Sequence, residues 1–600
     1  MKRSYTLLLP LLIIGTAYGQ AKKAVTKKPN IIFILTDDLG YGDVGVFWQN
    51  QLAKNKDRSQ PWTFTPNLDK MAAQGAMMPQ SYCAAPVCAP SRSSIITGLS
   101  QGHARVRDNQ FDKDVADNYT LGNVMQAAGY ATAAIGKWGL QGDKRWSADG
   151  ASWPGHPLNR GFDYYYGYMR HKDGHEHYPK EGLYDGPKEV WENRTEVSKG
   201  LDKCYTADLW TAAAKRWITA HEKGKNKKQP FFMYLAYDTP HAVLELPTGP
   251  YPAGGGLHGG IQWLGTPGRM INTAVGTPDT WTHPDYAGAT YDNDNDKATP
   301  EVPWPDTYKR YATSTRRIDD AVGDLFKLLA DLHIDNNTLV IFSSDNGPSI
   351  EAYLPKPHVP YAAGFFRSFG PFDGIKRDAL EGGERMPVIA RWPGHIAAHK
   401  IVSTPGISYD WLPTFTDAAG LPAPANTDGV SLLPSLTGKG KQQAGLIYVE
   451  YFEGGKSPNY KVFAPANRGR KRNQMQMIRF GNYVGLRYNV RSADDDFGIF
   501  DVLKDTHQAN DLAAAMPALE KKMKDKVLQV RRIDTSARRP YDDALIPAST
   551  ISGKVKGLTW HAYNGKFAWI PKDGTLPVAA TGACATPDLK AVKAGHNVYL

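Results

Sequence analysis

Cysteine is scarce: four in six hundred residues, at Cys83, Cys88, Cys204 and Cys584. That excludes a disulfide framework, so stability has to come from a packed core. No apolar run is long enough to cross a bilayer, and the stretch Leu7 to Ile14 is too short by itself, so no membrane span is expected. The formal net charge is +11, yet no nucleic-acid motif accompanies it, so no nucleic-acid partner is expected. Part of the charge lies in Lys22, Lys23, Lys27 and Lys28, and another cluster is Arg468, Arg470, Lys471 and Arg472. Such a surface suits polyanions such as sulfated glycans; solvated lysines without a partner are the equal reading.

What is present begins with a secretory pattern. Lys2 and Arg3, the apolar run and Ala17-Tyr18-Gly19 read as a signal peptide over 1–19, followed by a basic leader over 20–28. Export to the periplasm or medium is expected, and the low cysteine count leans towards a bacterial enzyme.

Further along, buried apolar strands alternate with amphipathic helices. Ile31 to Leu35, Ala131 to Ile135, Phe231 to Tyr237 and Thr338 to Phe342 read as strands. Helices are expected after Thr65-Pro66, from Thr120, around Leu209, Ala213 and Trp217, and through Ile318, Val322, Leu325 and Leu329. The alternation predicts an α/β domain on a largely parallel sheet, which binds ligands beyond the carboxyl ends of its strands. Four of these strands run into polar groups: Asp37 and Asp38, Lys137, His241, and Asp345 with Asn346. One sheet would bring them to one edge. From about Asp428 the texture changes, and Met475 to Phe480, Gly481-Asn482 and Tyr483 to Tyr488 read as a hairpin. A strand from Phe497 to Val502 and a helix through Leu519, Met523, Val527 and Val530 follow.

Pro86-Val87-Cys88-Ala89-Pro90-Ser91-Arg92 leads into an apolar run ending at Thr97-Gly98, which places Cys88 at a helix N-terminus. Unpaired N–H groups there suit an anion or a reactive thiolate, and a buried structural cysteine is the plain alternative. Asp37, Asp38, Asp345 and Asn346 offer hard oxygen ligands, which suit Ca²⁺ or Mg²⁺ rather than Zn²⁺. Taken alone, Asp37-Asp38 is a strand-end turn.

At Cys-x-Pro-Ser-Arg, four further residues and Thr-Gly, the chain resembles the formylglycine-dependent sulfatases of the alkaline phosphatase superfamily. The resemblance spans about 29–539. It implies a large mixed, mostly parallel sheet flanked by helices over 29–427, and a smaller antiparallel-sheet subdomain over 428–539. Residues 540–600 would be a linker and a partial PA14-like β module, carried by Gly557 to Gly565 and Leu576-Pro577.

The resemblance also assigns roles. Cys88 becomes the formylglycine nucleophile through a separate maturation enzyme, and Arg92 holds it. The four oxygen ligands bind the cation, Lys137 and Lys376 clamp the sulfate, and His241 is the general acid. Many sulfatases read Gly-Lys-Trp-His where this chain has Gly136-Lys137-Trp138-Gly139. His103 is the candidate substitute for that histidine, with a structural role as the alternative. In the loop His171 to Tyr178, His175 and His177 are expected to touch substrate, a solvated loop being the other reading. The implied activity is hydrolysis of a sulfate ester on a carbohydrate. The rivals are a phosphonate or phosphate monoester hydrolase and an inactive glycan-binding protein.

Overall fold

The computed structural model describes residues 27–142, 152–183, 186, 188–548, 557–586 and 597–599. The signal peptide and most of the basic leader lie outside the described residues. Among those residues, no helix is long and apolar enough to cross a membrane.

Five parallel strands form the centre: β1 (Asn30–Thr36), β2 (Ala131–Gly136), β3 (Tyr164–Tyr168), β4 (Phe231–Ala236) and β5 (Thr338–Ser344). They lie in the order β5-β1-β4-β2-β3 within a ten-stranded sheet whose flanks are mixed. Antiparallel Ile389–Arg391 adds to β5, and Val190–Glu192 adds antiparallel to β3. The expected mixed, mostly parallel α/β sheet is therefore what forms. Sequence alone found β1, β2, β4 and β5. The tyrosine-rich β3 lacked an aliphatic run to mark it.

The strands are buried along almost their whole length because helices cover both faces. Alternate side chains of β1 separate the two layers. Ile32 and Ile34 join Leu209, Ala213, Ile318, Val322 and Leu325, carried by the helices Thr206–Lys223 and Asp306–Asp331. Ile31, Phe33 and Leu35 join Ile95, Ile96, Leu121, Met125 and Phe415 on the opposite face. These come from the helices Cys88–Thr97, Leu121–Ala127 and Trp411–Ala418. Fully burying one such aliphatic side chain is worth roughly 1.5–3 kcal/mol. Thr120 caps the middle helix, its side chain accepting from Asn123 N.

Register sets the functional edge. Thr36 pairs with Ser344 and Gly136 with Ala236, so the carboxyl ends of β1, β2, β4 and β5 stop at one level. Gly136 is required there: at φ +101° a Cβ would lie 1.9 Å from Ala236 O.

A second sheet, antiparallel throughout, comprises β6 (Ile447–Lys456), β7 (Lys471–Phe480), β8 (Tyr483–Tyr488) and β9 (Gly498–Asp501). The β7-β8 hairpin is the one expected, closing at Phe480 and Tyr483. One face packs on the helix Pro517–Gln529 through Met523 and Val527. The other face packs on Tyr82, Ala84, Val87, Ala379 and Leu380, so it backs the segments leading to Cys88 and Lys376. Near the C-terminus, Leu558–Tyr563, Ala580–Cys584 and Asn597–Tyr599 form a small antiparallel sheet. The chain between its first two strands is anchored to the larger body by Lys572 Nζ, which donates to Thr427 O and Gly429 O at 2.6 Å.

Candidate active site

The predicted convergence occurs, and it is buried. Asp345 N donates to Thr36 O and Asp37 N to Thr239 O, both at 3.1 Å, while Lys137 N donates to Ala236 O at 2.9 Å. These bonds knit the strand ends together and set their side chains around one point. Ligand atoms of Asp37, Asp38, Cys88 and His241 all lie within 4.8 Å of one another. Asp345 joins through its Oδ1, which accepts from Asp38 N at 3.2 Å, and Asn346 Nδ2 donates to Asp38 Oδ1 at 2.7 Å.

Three cations hold this acidic group. Arg92 Nε is 2.9 Å from Asp345 Oδ2 and its Nη2 is 3.2 Å from Asp37 Oδ2. Lys137 Nζ is 2.6 Å from Asp37 Oδ2, and Lys376 Nζ is 2.7 Å from Asp38 Oδ2. Arg92 thus braces the carboxylates; among the described residues it makes no hydrogen bond to Cys88, the partner expected for it. Burial opposes charge on Asp37, but Lys137 and Arg92 overcome it and hold that carboxyl well below its ordinary range. Asp345 goes the other way, pushed up first by burial and then by the negative charge of Asp37.

That crowding bears on a metal. Asp37, Asp38 and Asp345 are balanced by Arg92, Lys137 and Lys376, leaving the group formally neutral. A divalent cation would make it doubly positive, which suits an incoming anion. Asn346 Oδ1 is buried with no hydrogen-bond partner among the described residues, a carbonyl oxygen left over as a hard ligand would be. The residues therefore fit a hard divalent cation.

Cys88 opens its helix with Sγ 3.3 Å from Asp37 Oδ1 and 3.9 Å from Asp38 Oδ1. Burial, followed by Asp37, raises the thiol well above its ordinary range. The thiolate suggested by the helix N-terminus is therefore not what the site favours, because nearby carboxylates outweigh the helix dipole.

His241 is buried beside Lys376, with Nε2 3.2 Å from Nζ and 3.5 Å from Asp38 Oδ2. Its Nδ1 bonds Ala242 O, a carbonyl that can only accept, so Nδ1 carries a proton and Nε2 faces the lysine. Burial pushes its pKa down to about 4 against the pull of Asp38. His175 stacks on it, ring centroids 4.3 Å apart, and burial holds His175 well below the usual histidine range.

Two residues expected at the substrate make other contacts. His177 is turned inward, its Nε2 donating to His241 O at 2.8 Å and its Nδ1 3.6 Å from Asp238 Oδ2, so it supports His241 from behind. His103 Nδ1 bonds Asp428 at 2.9 Å, and among the described residues no hydrogen bond or ion pair joins it to the acidic group. Sequence reasoning also missed Glu351, whose Oε2 is 3.5 Å from Lys376 Nζ and whose Oε1 is 2.7 Å from Arg377 Nη2. A lone glutamate in a loop carries no signal.

Carboxylates, paired cations and a histidine at the carboxyl edge of a parallel sheet define a hydrolytic site for an anionic ester. Residues 29–421 match the family model for Sulfatase, and residues 368–533 match that for N-sulphoglucosamine sulphohydrolase, C-terminal. The chain belongs to the sulfatase family and is a sulfuric ester hydrolase. It is 29% identical over 446 residues to N-acetylgalactosamine-6-sulfatase of Mus musculus, covering 71% of this chain and 69% of that protein. It is 28% identical over 451 residues to arylsulfatase G of Rattus norvegicus, covering 69% of each. Among solved structures, Ps i-CgsB in complex with k-i-k-neocarrahexaose superposes with a TM-score of 0.58 at 24% identity, covering 84% of this chain and 94% of that one. The phosphate or phosphonate reading is not favoured beside these relatives.

Proposed function

We propose that this chain removes sulfate from a carbohydrate, using formylglycine made from Cys88 and a Ca²⁺ or Mg²⁺ ion held by Asp37, Asp38, Asp345 and Asn346. The observation that carries it is Cys88 Sγ, 3.3 Å from Asp37 Oδ1 yet held as a thiol. An unconverted cysteine there is a poor nucleophile, so its position makes sense for a converted one. The hydrated aldehyde supplies a nucleophilic oxygen, and the cation supplies positive charge against a sulfate oxygen. Lys137 and Lys376 counter charge that grows on the sulfate oxygens as the ester bond breaks. His241 receives a proton at Nε2 from the Lys376 side and hands it to the departing sugar oxygen. Relatives that act on sulfated sugars support the carbohydrate class. Export to the periplasm or medium and conversion by a separate maturation enzyme belong to the same reading.

The test is sulfate release from a panel of sulfated saccharides by protein whose Cys88 peptide shows the aldehyde mass. Release is expected, and Cys88→Ala should abolish it while the fold is kept. A panel with no turnover by fully converted protein would favour a glycan-binding role.

A further inference from the structure

Gly139 follows Lys137 on the loop after β2, at φ +69°. A Cβ built there would lie 2.9 Å from His171 Nδ1 and 3.2 Å from the Cα and Cβ of His171. The volume that a side chain at 139 would claim is therefore filled by a histidine from another segment. The two segments are clamped side by side: Trp138 N donates to Tyr168 O at 3.0 Å and Gly139 N to Met169 O at 2.9 Å.

His171 is fixed in place with care. Its N donates to Asp112 Oδ1 at 2.7 Å, and its ring stacks on Phe111 with centroids 4.2 Å apart. The edge of His175 meets it at 5.2 Å, continuing to the stacked His241. The side chain is buried, yet neither ring nitrogen has a hydrogen-bond partner among the described residues. Leaving such a group unpaired costs stability, and a histidine serving only to fill space has no reason to bear that cost. The charges it feels most strongly are Lys137, Asp37 and Arg92, which are joined in one buried cluster whose Asp37 lies 3.3 Å from Cys88 Sγ.

We propose that His171 supplies, from the histidine loop, the imidazole that Gly139 lacks, and acts as the proton acceptor on the nucleophile's flank of the site. The inference rests on the proposed nucleophile at Cys88. A hydroxyl O–H of that nucleophile breaks as an N–H bond forms on His171, and the proton passes on to water. Position 139 and position 171 are two backbone origins for one ring in one place.

The experiment compares His171→Gln, which keeps bulk against Phe111 but cannot take the proton, with His171→Gly and the exchange His171→Gly/Gly139→His. Each protein is first checked for fold and for the aldehyde mass at Cys88. The single variants are expected to lose about 100-fold or more in kcat with little change in KM, and the exchange to recover most of it. A second readout needs no turnover: the rate at which an alkoxyamine condenses with the aldehyde, releasing water, read by peptide mass. It should rise several-fold in both single variants, whose hydrate has lost its imidazole partner, and fall back in the exchange. Native kcat and native labelling in His171→Gln, or a folded exchange that recovers neither quantity, would overturn the proposal. Residual turnover by Cys88→Ala would instead bring down the nucleophile assignment, so the two failures are distinguishable.

Discussion

Lys376 Nζ stands 3.2 Å from His241 Nε2, so the proposed sulfate-binding lysine and the proposed general acid share a hydrogen bond. Burial and the charge of Lys376 both lower the pKa of His241, so the ring rests neutral and its Nε2 accepts from the lysine. Replacing His241 with alanine should lower turnover of a sugar sulfate by about 10²–10⁴-fold, because an alkoxide leaves poorly without a proton. An activated aryl sulfate, whose phenolate leaves unaided, should lose much less. Equal losses on both substrates would remove His241 from the leaving-group side.

Metal removal should be visible in stability as well as rate. Asp37, Asp38 and Asp345 repel one another in a dry pocket, and a bound cation relieves that repulsion. A ligand at 100 times its dissociation constant adds about 2.7 kcal/mol, so Ca²⁺ or Mg²⁺ should raise Tm by a few degrees and a chelator should reverse it. Asp345→Ala or Asn346→Ala should erase the metal-dependent part of the shift. A Tm indifferent to chelator in native protein would show that the carboxylates are satisfied by Arg92, Lys137 and Lys376 alone.

Much of this was readable in the chain because strands announce themselves by aliphatic runs and their ends by sudden polarity. Asp37, Lys137, His241 and Asp345 each close such a run, and a shared parallel register does the rest. The Cys88 helix was legible from its proline and its apolar tail. Other features were not, for tertiary reasons. His171 is significant because Gly139 is empty beside it, a relation between segments that only the clamp at Tyr168 and Met169 creates. His103 is close to Cys88 in sequence, yet it bonds Asp428. The thiolate expected from the helix N-terminus is opposed by Asp37, which arrives from 51 residues away.

One buried acid on β6 helps tie the second sheet to the catalytic body. Glu450 receives Arg107 at 3.1 Å and Arg531 at 3.2 Å, with Tyr541 Oη donating at 2.8 Å. Burial opposes its charge, but Arg539, Arg531 and Arg107 hold its pKa below the ordinary 4.5. A depressed folded-state pKa means the stabilisation is fully present above about pH 4.5 and is lost as pH falls through the lower folded value. Glu450→Gln should cost on the order of 3 kcal/mol at pH 7, since guanidinium groups are left uncompensated. It should also flatten the acid limb of the stability curve. Chemical denaturation of both proteins between pH 7 and pH 3 checks this, and parallel curves would mean the pair charges contribute nothing.

His177 offers a sharp choice between touching substrate and holding His241. Its Nε2 donates to His241 O at 2.8 Å, while Asp238, against the opposing effect of burial, keeps its pKa raised. Asp238 is in turn fixed by Thr206 Oγ1 at 3.0 Å and Trp210 Nε1 at 3.2 Å. A chain of contacts therefore runs from the helix Thr206–Lys223 through Asp238 and His177 to the backbone of the proposed general acid. If it sets the position of that ring, His177→Ala should lower kcat by roughly 10–100-fold, the scale expected from misplacing a catalytic group by about 1 Å. KM should stay near native, since no sugar contact is lost. His177→Asn, which can still donate to a carbonyl, should recover part of the rate. A rise in KM with kcat intact would reverse the assignment and restore His177 to the substrate side.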